Sequence, residues 1–308
     1  MTGWRLVSDA GGTNVRFARA AANAEIAGTK SYPVSHFPSF LTALQFYLEE
    51  TGGHEGCEGV AVGAAGAVVS GTVTLTNVAW KISQSEISGE LKVPCALIND
   101  VQAVAFSIPT LAQQALALLG NHAPDLANAQ RLLVANIGTG FGAATLIRAG
   151  AGWVSCPSEA GHMSISFKSD GGEQYEGRLR SVEHILSGRG ICNLHSALSQ
   201  LPCEYDPGSL ISQASTDLLC RQTLRVFTEI AGEVLGNLTL AVAAWDGVYL
   251  CGTVARSFAR SADLSLLRKS FNDKGPMTEK MKQIPIALIT REDAALAGLA
   301  ALPLNPAS

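Results

Sequence analysis

Charge is scarce in this sequence. Asp, Glu, Lys and Arg together make up 16% of its 308 residues, against roughly 25% in average proteins, which predicts extensive surface buried between lobes or between subunits. A homodimer is the expectation. The net charge of −4 supplies no basic field for nucleic acid or for an anionic membrane, so any phosphate must be handled locally. The seven cysteines never form a C-x-x-C pair, and neither a disulfide framework nor a zinc site is signalled. They read as small buried hydrophobes in a reducing cytoplasm. No basic segment followed by an apolar core marks a secretory leader. The uncharged run 101–124 is interrupted by Pro109, Gln113, Gln114, Asn121 and His122, against a membrane span. No G-x-x-x-x-G-K-[ST] sequence occurs, which removes the P-loop class.

What the chain does have is hydrophobic residues, 47% of the total, enough at this length for two lobes with separate cores. Near the start, Leu6 and Val7 read as a buried strand, Asp9 to Asn14 as a glycine-rich turn, and Val15 to Ala18 as a returning strand. Gly11 and Gly12 lack the Cβ that would keep an anion from the backbone, so amides and the Thr13 hydroxyl can converge on a phosphate, with Asp9 holding hydrated Mg²⁺ beside it. Turn geometry alone explains the same residues. A second such turn follows Arg131–Ile137, at Gly138-Thr139-Gly140-Phe141-Gly142. A dinucleotide motif there would have to open a helix, whereas Ala143–Ile147 reads as a strand. Two hairpins of this kind suggest two related lobes clamping a nucleotide.

Further strands are expected over Val60–Ala67, with Val73–Thr76 pairing beside it, and over Cys95–Ile98, Val248–Thr253 and Ile284–Thr290. Helices are expected over Ser39–Glu50, Ser85–Leu91, from Val101 onward as a long pattern, and over Thr216–Trp245, Val254–Arg260 and Asp293–Ala300. Asn99 and Asp100 end a buried strand, where an α/β sheet opens onto its ligand crevice; a helix cap is the rival reading of Asp100. A pyranose, whose hydroxyls both donate and accept, is held by carboxylates, an amide and an imidazole, and Glu159, His162, Glu183 and Asn99 supply that set. For Glu159 and His162 the rival is metal ligation, which Gly161 disfavours by opposing a helix. His162 also reads as a core histidine and Glu183 as a first-turn helix acid. Arg16 is expected to be structural, pairing with a carboxylate. Gly252 would let a flat base approach the backbone.

Taken in order, Asp9-x-Gly11-Gly12-Thr13-Asn14-x-Arg16, Leu97-Ile98-Asn99-Asp100, Gly138-Thr139-Gly140-x-Gly142, Glu159-x-x-His162, Glu183-x-x-Leu186-Ser187-Gly188 and Gly252 resemble the bacterial ATP-dependent glucokinases over nearly the whole chain. The resemblance implies an α/β, two-lobed actin-like ATPase (RNase H-like) fold with a cleft between a small α/β domain and a larger α+β domain. The small domain would be 1–109, completed by 290–308, and the large one 110–289. It implies glucose and ATP as substrates with Mg²⁺ as cofactor, and a cytoplasmic homodimer. Residue by residue, it makes Asp100 the general base and Asn99, Asp100, Glu159, His162 and Glu183 sugar ligands. It places Asp9, Gly11, Gly12, Thr13, Asn14, Gly138, Thr139, Gly140, Gly252 and Thr253 around the nucleotide and Mg²⁺. Two positions depart from the pattern: Thr253 and Ala160 stand where glycine is usual. A kinase for another hexose or amino sugar, or a sugar-responsive regulator on the same fold, remains an alternative.

Overall fold

A computed structural model describes residues 3–75, 78–165 and 179–304. The chain forms two compact units, one of Met1–Leu111 with Arg291–Ser308 and one of Ala112–Thr290.

In the first unit, β1 (Trp4–Ala10) and β2 (Asn14–Ala21) form an antiparallel hairpin and β3 (Ile26–Pro33) adds antiparallel to β2. Helix α1 (Phe40–Glu50) follows, its start fixed by the Ser39 hydroxyl, which accepts a hydrogen bond from the Thr42 amide. β4 (Cys57–Ala64) then lies parallel to β1. A separate two-stranded sheet of β5 (Thr72–Thr74) and β6 (Lys81–Ser83) leads into α2 (Gln84–Leu91), β7 (Cys95–Asn99) parallel to β4, and α3 (Asp100–Ser107). The sheet order is β3-β2-β1-β4-β7.

Alternation along the strands divides this core in two. Leu6, Phe17, Val60 and Val62 join Phe40, Leu44 and Tyr47 of α1 on one face. Val7, Ala18, Ala20 and Ala61 face the other way, against the C-terminal helix Ala294–Ala301. Small residues on that face let the helix come close. Gly298 is the extreme case, since a Cβ there would collide with the Ala103 carbonyl of α3.

Two expectations are corrected. The strand over Val73–Thr76 does not pair beside β4: β5 pairs with β6, because the chain turns back at Ser70 and Gly71, both at positive φ. Thr76 lies outside the described residues. The helix expected to run on from Val101 stops at Ser107 and passes into a 3₁₀ turn at Ile108–Thr110, where Pro109 removes an amide donor.

The second unit repeats the same plan. After β8 (Leu116–Leu118) come β9 (Arg131–Ile137), β10 (Phe141–Ala149) and β11 (Gly152–Ser158), an antiparallel meander. Helices α4 (Gly188–Ser199), α5 (Pro207–Gln213) and α6 (Leu218–Val242) follow, then β12 (Val248–Cys251), α7 (Thr253–Ser261), α8 (Leu264–Asn272) and β13 (Ile286–Ile289). β9, β12 and β13 run parallel, giving the order β11-β10-β9-β12-β13-β8. Leaving β8 aside, the third, second, first, fourth and fifth strands stand side by side, as they do in the first unit. Phe227, Ile230 and Leu235 of α6 pack with Phe258, Leu267 and Phe271 in its core. Among the described residues no helix is long and apolar enough to cross a membrane.

Candidate active site

In the first unit, chemistry gathers at the carboxyl ends of β1 and β7, where parallel strands of an open sheet present their ligand crevice. Asp9 and Arg16 stand opposite each other in the hairpin and form an ion pair. Both of that arginine's bonds to Asp9 fall on Oδ2, and a third bond, 3.1 Å to the Glu292 carbonyl, ties the hairpin to the segment before the C-terminal helix. Oδ1 of Asp9 has no hydrogen-bond partner among the described residues. The turn is closed by the Gly11 amide, which donates to the Asn14 carbonyl at 3.0 Å, and Thr13 and Asn14 are exposed at its tip.

Asn99 and Asp100 sit where β7 gives way to α3. The Asn99 amide oxygen accepts from the Val101 N–H at 2.9 Å, and its Nδ2 donates to the Gly66 carbonyl at 3.0 Å. The Asn99 N–H in turn donates to Gln102 Oε1 at 3.1 Å, completing a capping box. The cap reading therefore belongs to Asn99, and Asp100 is the first helical residue. Burial pushes the Asp100 carboxyl up to about 7, and the charge of Asp9 adds to the rise. Hydrogen bonds from the Val101 and Asp100 amides and the Asn99 side chain oppose it.

The second unit brings Gly138–Phe141, Glu159–His162 and Glu183 together. Glu183 Oε2 accepts from the Phe141 amide at 2.9 Å, and the Glu183 amide donates to the Gly161 carbonyl at 2.9 Å. Glu159 precedes a 3₁₀ turn, Ala160–His162, that His162 ends, and both are exposed, with no hydrogen bond between their side chains and those of other described residues. Neither a core histidine nor a helical pair of metal ligands describes them. The Ser187 hydroxyl donates to the Glu183 carbonyl and accepts from the Gly190 amide, capping α4, while the Gly188 amide donates to the Gly138 carbonyl at 2.8 Å. A short chain of bonds thus links the Glu183 carboxylate to the hairpin tip.

Beside that tip is a cavity of about 340 Å³, lined by Gly138, Thr139, Gly188, Arg189, Pro207 and Thr253 among others, within the size range of small-molecule sites. Gly252 closes β12 at a φ of 100°, where a Cβ would strike Asn136 Oδ1 and the Ile137 carbonyl, so glycine is required whatever binds next to it. Thr253, one of the two departures, opens α7 with its surface exposed; Ala160, the other, is buried. Arg189, Pro207, Gly208, Ile211, Val254 and Ser257 escaped the sequence reading. The Ser187-Gly188-Arg189-Gly190 run, a capped helix start with two glycines, was the available signal for the first of them.

Among the described residues no three His, Cys, Asp or Glu side chains cluster as a metal cage. Asp9 fits a different arrangement: a carboxylate oxygen left open beside a second carboxyl whose charge it disfavours, suited to a hydrated cation held mainly by another ligand's phosphates.

The family model described as Glucokinase matches residues 6–305. Glucokinase from Klebsiella pneumoniae (strain 342) is 33% identical over 314 residues, covering 97% of this chain and 96% of its own. The crystal structure of glucokinase from an Antarctic psychrotroph superposes with a TM-score of 0.81 at 28% identity, over 98% of each chain. A ROK family glucokinase from Streptomyces griseus, solved with glucose and AMPPNP, shares the fold at a TM-score of 0.65 and 18% identity, over 97% of this chain and 98% of that one. Fold and site together define an ATP-dependent sugar kinase of the actin-like ATPase class. Within that class, the chain belongs to the glucokinase family.

Proposed function

We propose that this protein transfers the γ-phosphoryl group of ATP to the 6-hydroxyl of glucose, giving glucose 6-phosphate and ADP. The observation that carries the reading is Asp100. A sugar hydroxyl is a poor nucleophile whose proton must leave as its oxygen attacks phosphorus, and a carboxyl set near 7 by its surroundings is matched to accept that proton at neutral pH. Asn99 holds the start of α3, and with it Asp100, in place, through its bonds to the Val101 amide, the Gly66 carbonyl and the Asp100 carboxyl. Glu159, His162 and Glu183 supply the remaining hydroxyl partners. Glu183 is oriented for this by the Phe141 amide.

The backbone amides of Gly12 and Thr13 and of Thr139 and Gly140, in turns closed by the Gly11 and Gly138 amides, take the phosphates, and the cavity bounded by Gly188, Arg189 and Thr253 takes the base and ribose. Asp9 would hold Mg²⁺ through water at its open Oδ1. When bound, the ion neutralises charge on the phosphates. The low charge content and seven free thiols support a homodimer in a reducing cytoplasm, feeding glucose into glycolysis.

The test is ADP release with ATP and Mg²⁺ and each of glucose, mannose, fructose, glucosamine and N-acetylmannosamine, against a blank without sugar. Glucose-dependent release that disappears in Asp100→Asn is expected. Turnover with another sugar alone would keep the kinase and change its acceptor. No sugar-dependent turnover by folded protein would end the proposal.

A further inference from the structure

Helices α5 and α7 border a second, larger cavity that the proposed reaction leaves unused. Its volume is about 800 Å³. At one end the two helices present Pro207, Gly208, Thr253 and Val254 to the nucleotide cavity; further along they present Ser212, Arg260 and Ser261 to this one, and Ile211 borders both.

Its chemistry is two-sided. Ile211 and Leu224 form a buried apolar floor. The rim carries Arg221, Arg225 and Arg260 against a single carboxylate, Asp263. That carboxylate is already engaged, accepting from the Ser265 and Leu266 amides at 2.9 and 3.2 Å to cap α8. Arg221 is fixed by bonds from Nε to the Ala214 carbonyl at 3.0 Å and from one terminal nitrogen to the Ser215 carbonyl at 2.8 Å, so its other terminal nitrogen is oriented and uncommitted. Among the described residues Arg225 pairs only with Glu229, 3.3 Å away in an exposed pair, which holds it weakly. Arg260 has no hydrogen-bond partner among the described residues. In a chain with a net charge of −4 and so few charged residues, three arginines around one cavity, with no lysine, need a reason. Guanidinium forks match phosphate oxygens in geometry and charge.

We propose that this cavity binds a small organic phosphate, its phosphate held by Arg221 and Arg260 and its apolar body lying on the Ile211 and Leu224 floor. The volume suits a metabolite of that size, and an inorganic ion would leave the floor uncovered. The site is separate from the reaction and takes its ligand while sugar and nucleotide are bound.

Phenyl phosphate is the probe, titrated calorimetrically into the whole protein saturated with glucose and ADP so that the nucleotide cavity is filled. One equivalent is expected to bind, more tightly than inorganic phosphate, and Arg260→Gln should weaken it about tenfold through loss of one charge-assisted contact. Arg260→Lys should recover part of that loss, and both variants should keep sugar-dependent ADP release. No binding at millimolar probe would overturn the proposal, as would affinity unchanged in both Arg260→Gln and Arg221→Gln, or inorganic phosphate binding as well as phenyl phosphate.

Discussion

Asp100 stands at the positive end of a helix, which favours its charged form, yet crowding by protein atoms and the neighbouring Asp9 win, and its carboxyl rises from 3.8 to about 7. The sign of the consequence follows directly. Between those values the folded protein holds a proton that the unfolded chain has released, so this residue's contribution to stability falls as pH rises from about 4 to about 7. The proposed role as base makes activity run the opposite way, since a base acts in its ionised form: kcat/KM for glucose is expected to climb through about pH 7. In Asp100→Asn both dependences should vanish and kcat should drop by at least about 10²-fold, with a much smaller change in sugar KM. A kcat within a few fold of wild type would remove Asp100 from the chemistry. Glu183 makes a different contribution. Glu183→Gln keeps the shape but replaces one acceptor oxygen by a donor, so glucose affinity measured by calorimetry should fall roughly tenfold or more; unaltered affinity would exclude it as a sugar ligand.

Elements reveal why some of this was legible and some was not. The two glycine-tipped hairpins could be read because apolar strands on either side leave the polar tip as the only non-core stretch, and α1 and α6 because their apolar spacing is long and regular. β11 went unnoticed, since most of its residues are exposed and it has no apolar run. The pairing of β5 with β6 depends on a partner several residues away rather than on anything within β5. At the site, Asp9, Asp100 and Glu183 stood in recognisable motifs, whereas Pro207, Gly208 and Ile211 reach the cavity beside Gly138 only because α5 packs beside α7. That is a tertiary fact with no local mark. Gly298 belongs to the same class: in sequence it is one small residue in an alanine-rich helix, in the fold it is the point where that helix meets the backbone of α3. Gly298→Val should therefore destabilise by about 1–3 kcal/mol or more, read as a lowered denaturation midpoint. Gly252→Ala, strained at its positive φ as well as crowded, should cost more than about 1 kcal/mol. A wild-type midpoint in either variant would contradict the packing described here.

At the scale of the whole molecule, the same five-strand order appears in each unit, and each has its own core. A ligand that binds the folded form alone stabilises it by mass action, so glucose at about a hundred times its Kd should add roughly 2.7 kcal/mol. Thermal unfolding with and without glucose measures this, and no shift would count against glucose as the bound sugar. Sedimentation velocity across a range of concentrations should report a dimer; a monomer at every concentration would refute that part of the proposal.

The unit that carries Asp9 and Asp100 is assembled from two separated pieces of chain, while Ala112–Thr290 is continuous. On the ribosome this imposes a timetable. The hairpin at Gly138 and the cavity beside it can take shape while synthesis is still under way, but the face of the first sheet that receives Ala294–Ala301 stays bare until that helix has emerged. A message cut short before codon 291 would thus yield a finished continuous unit joined to an incomplete one, with an open alanine-rich surface for chaperones and proteases to find.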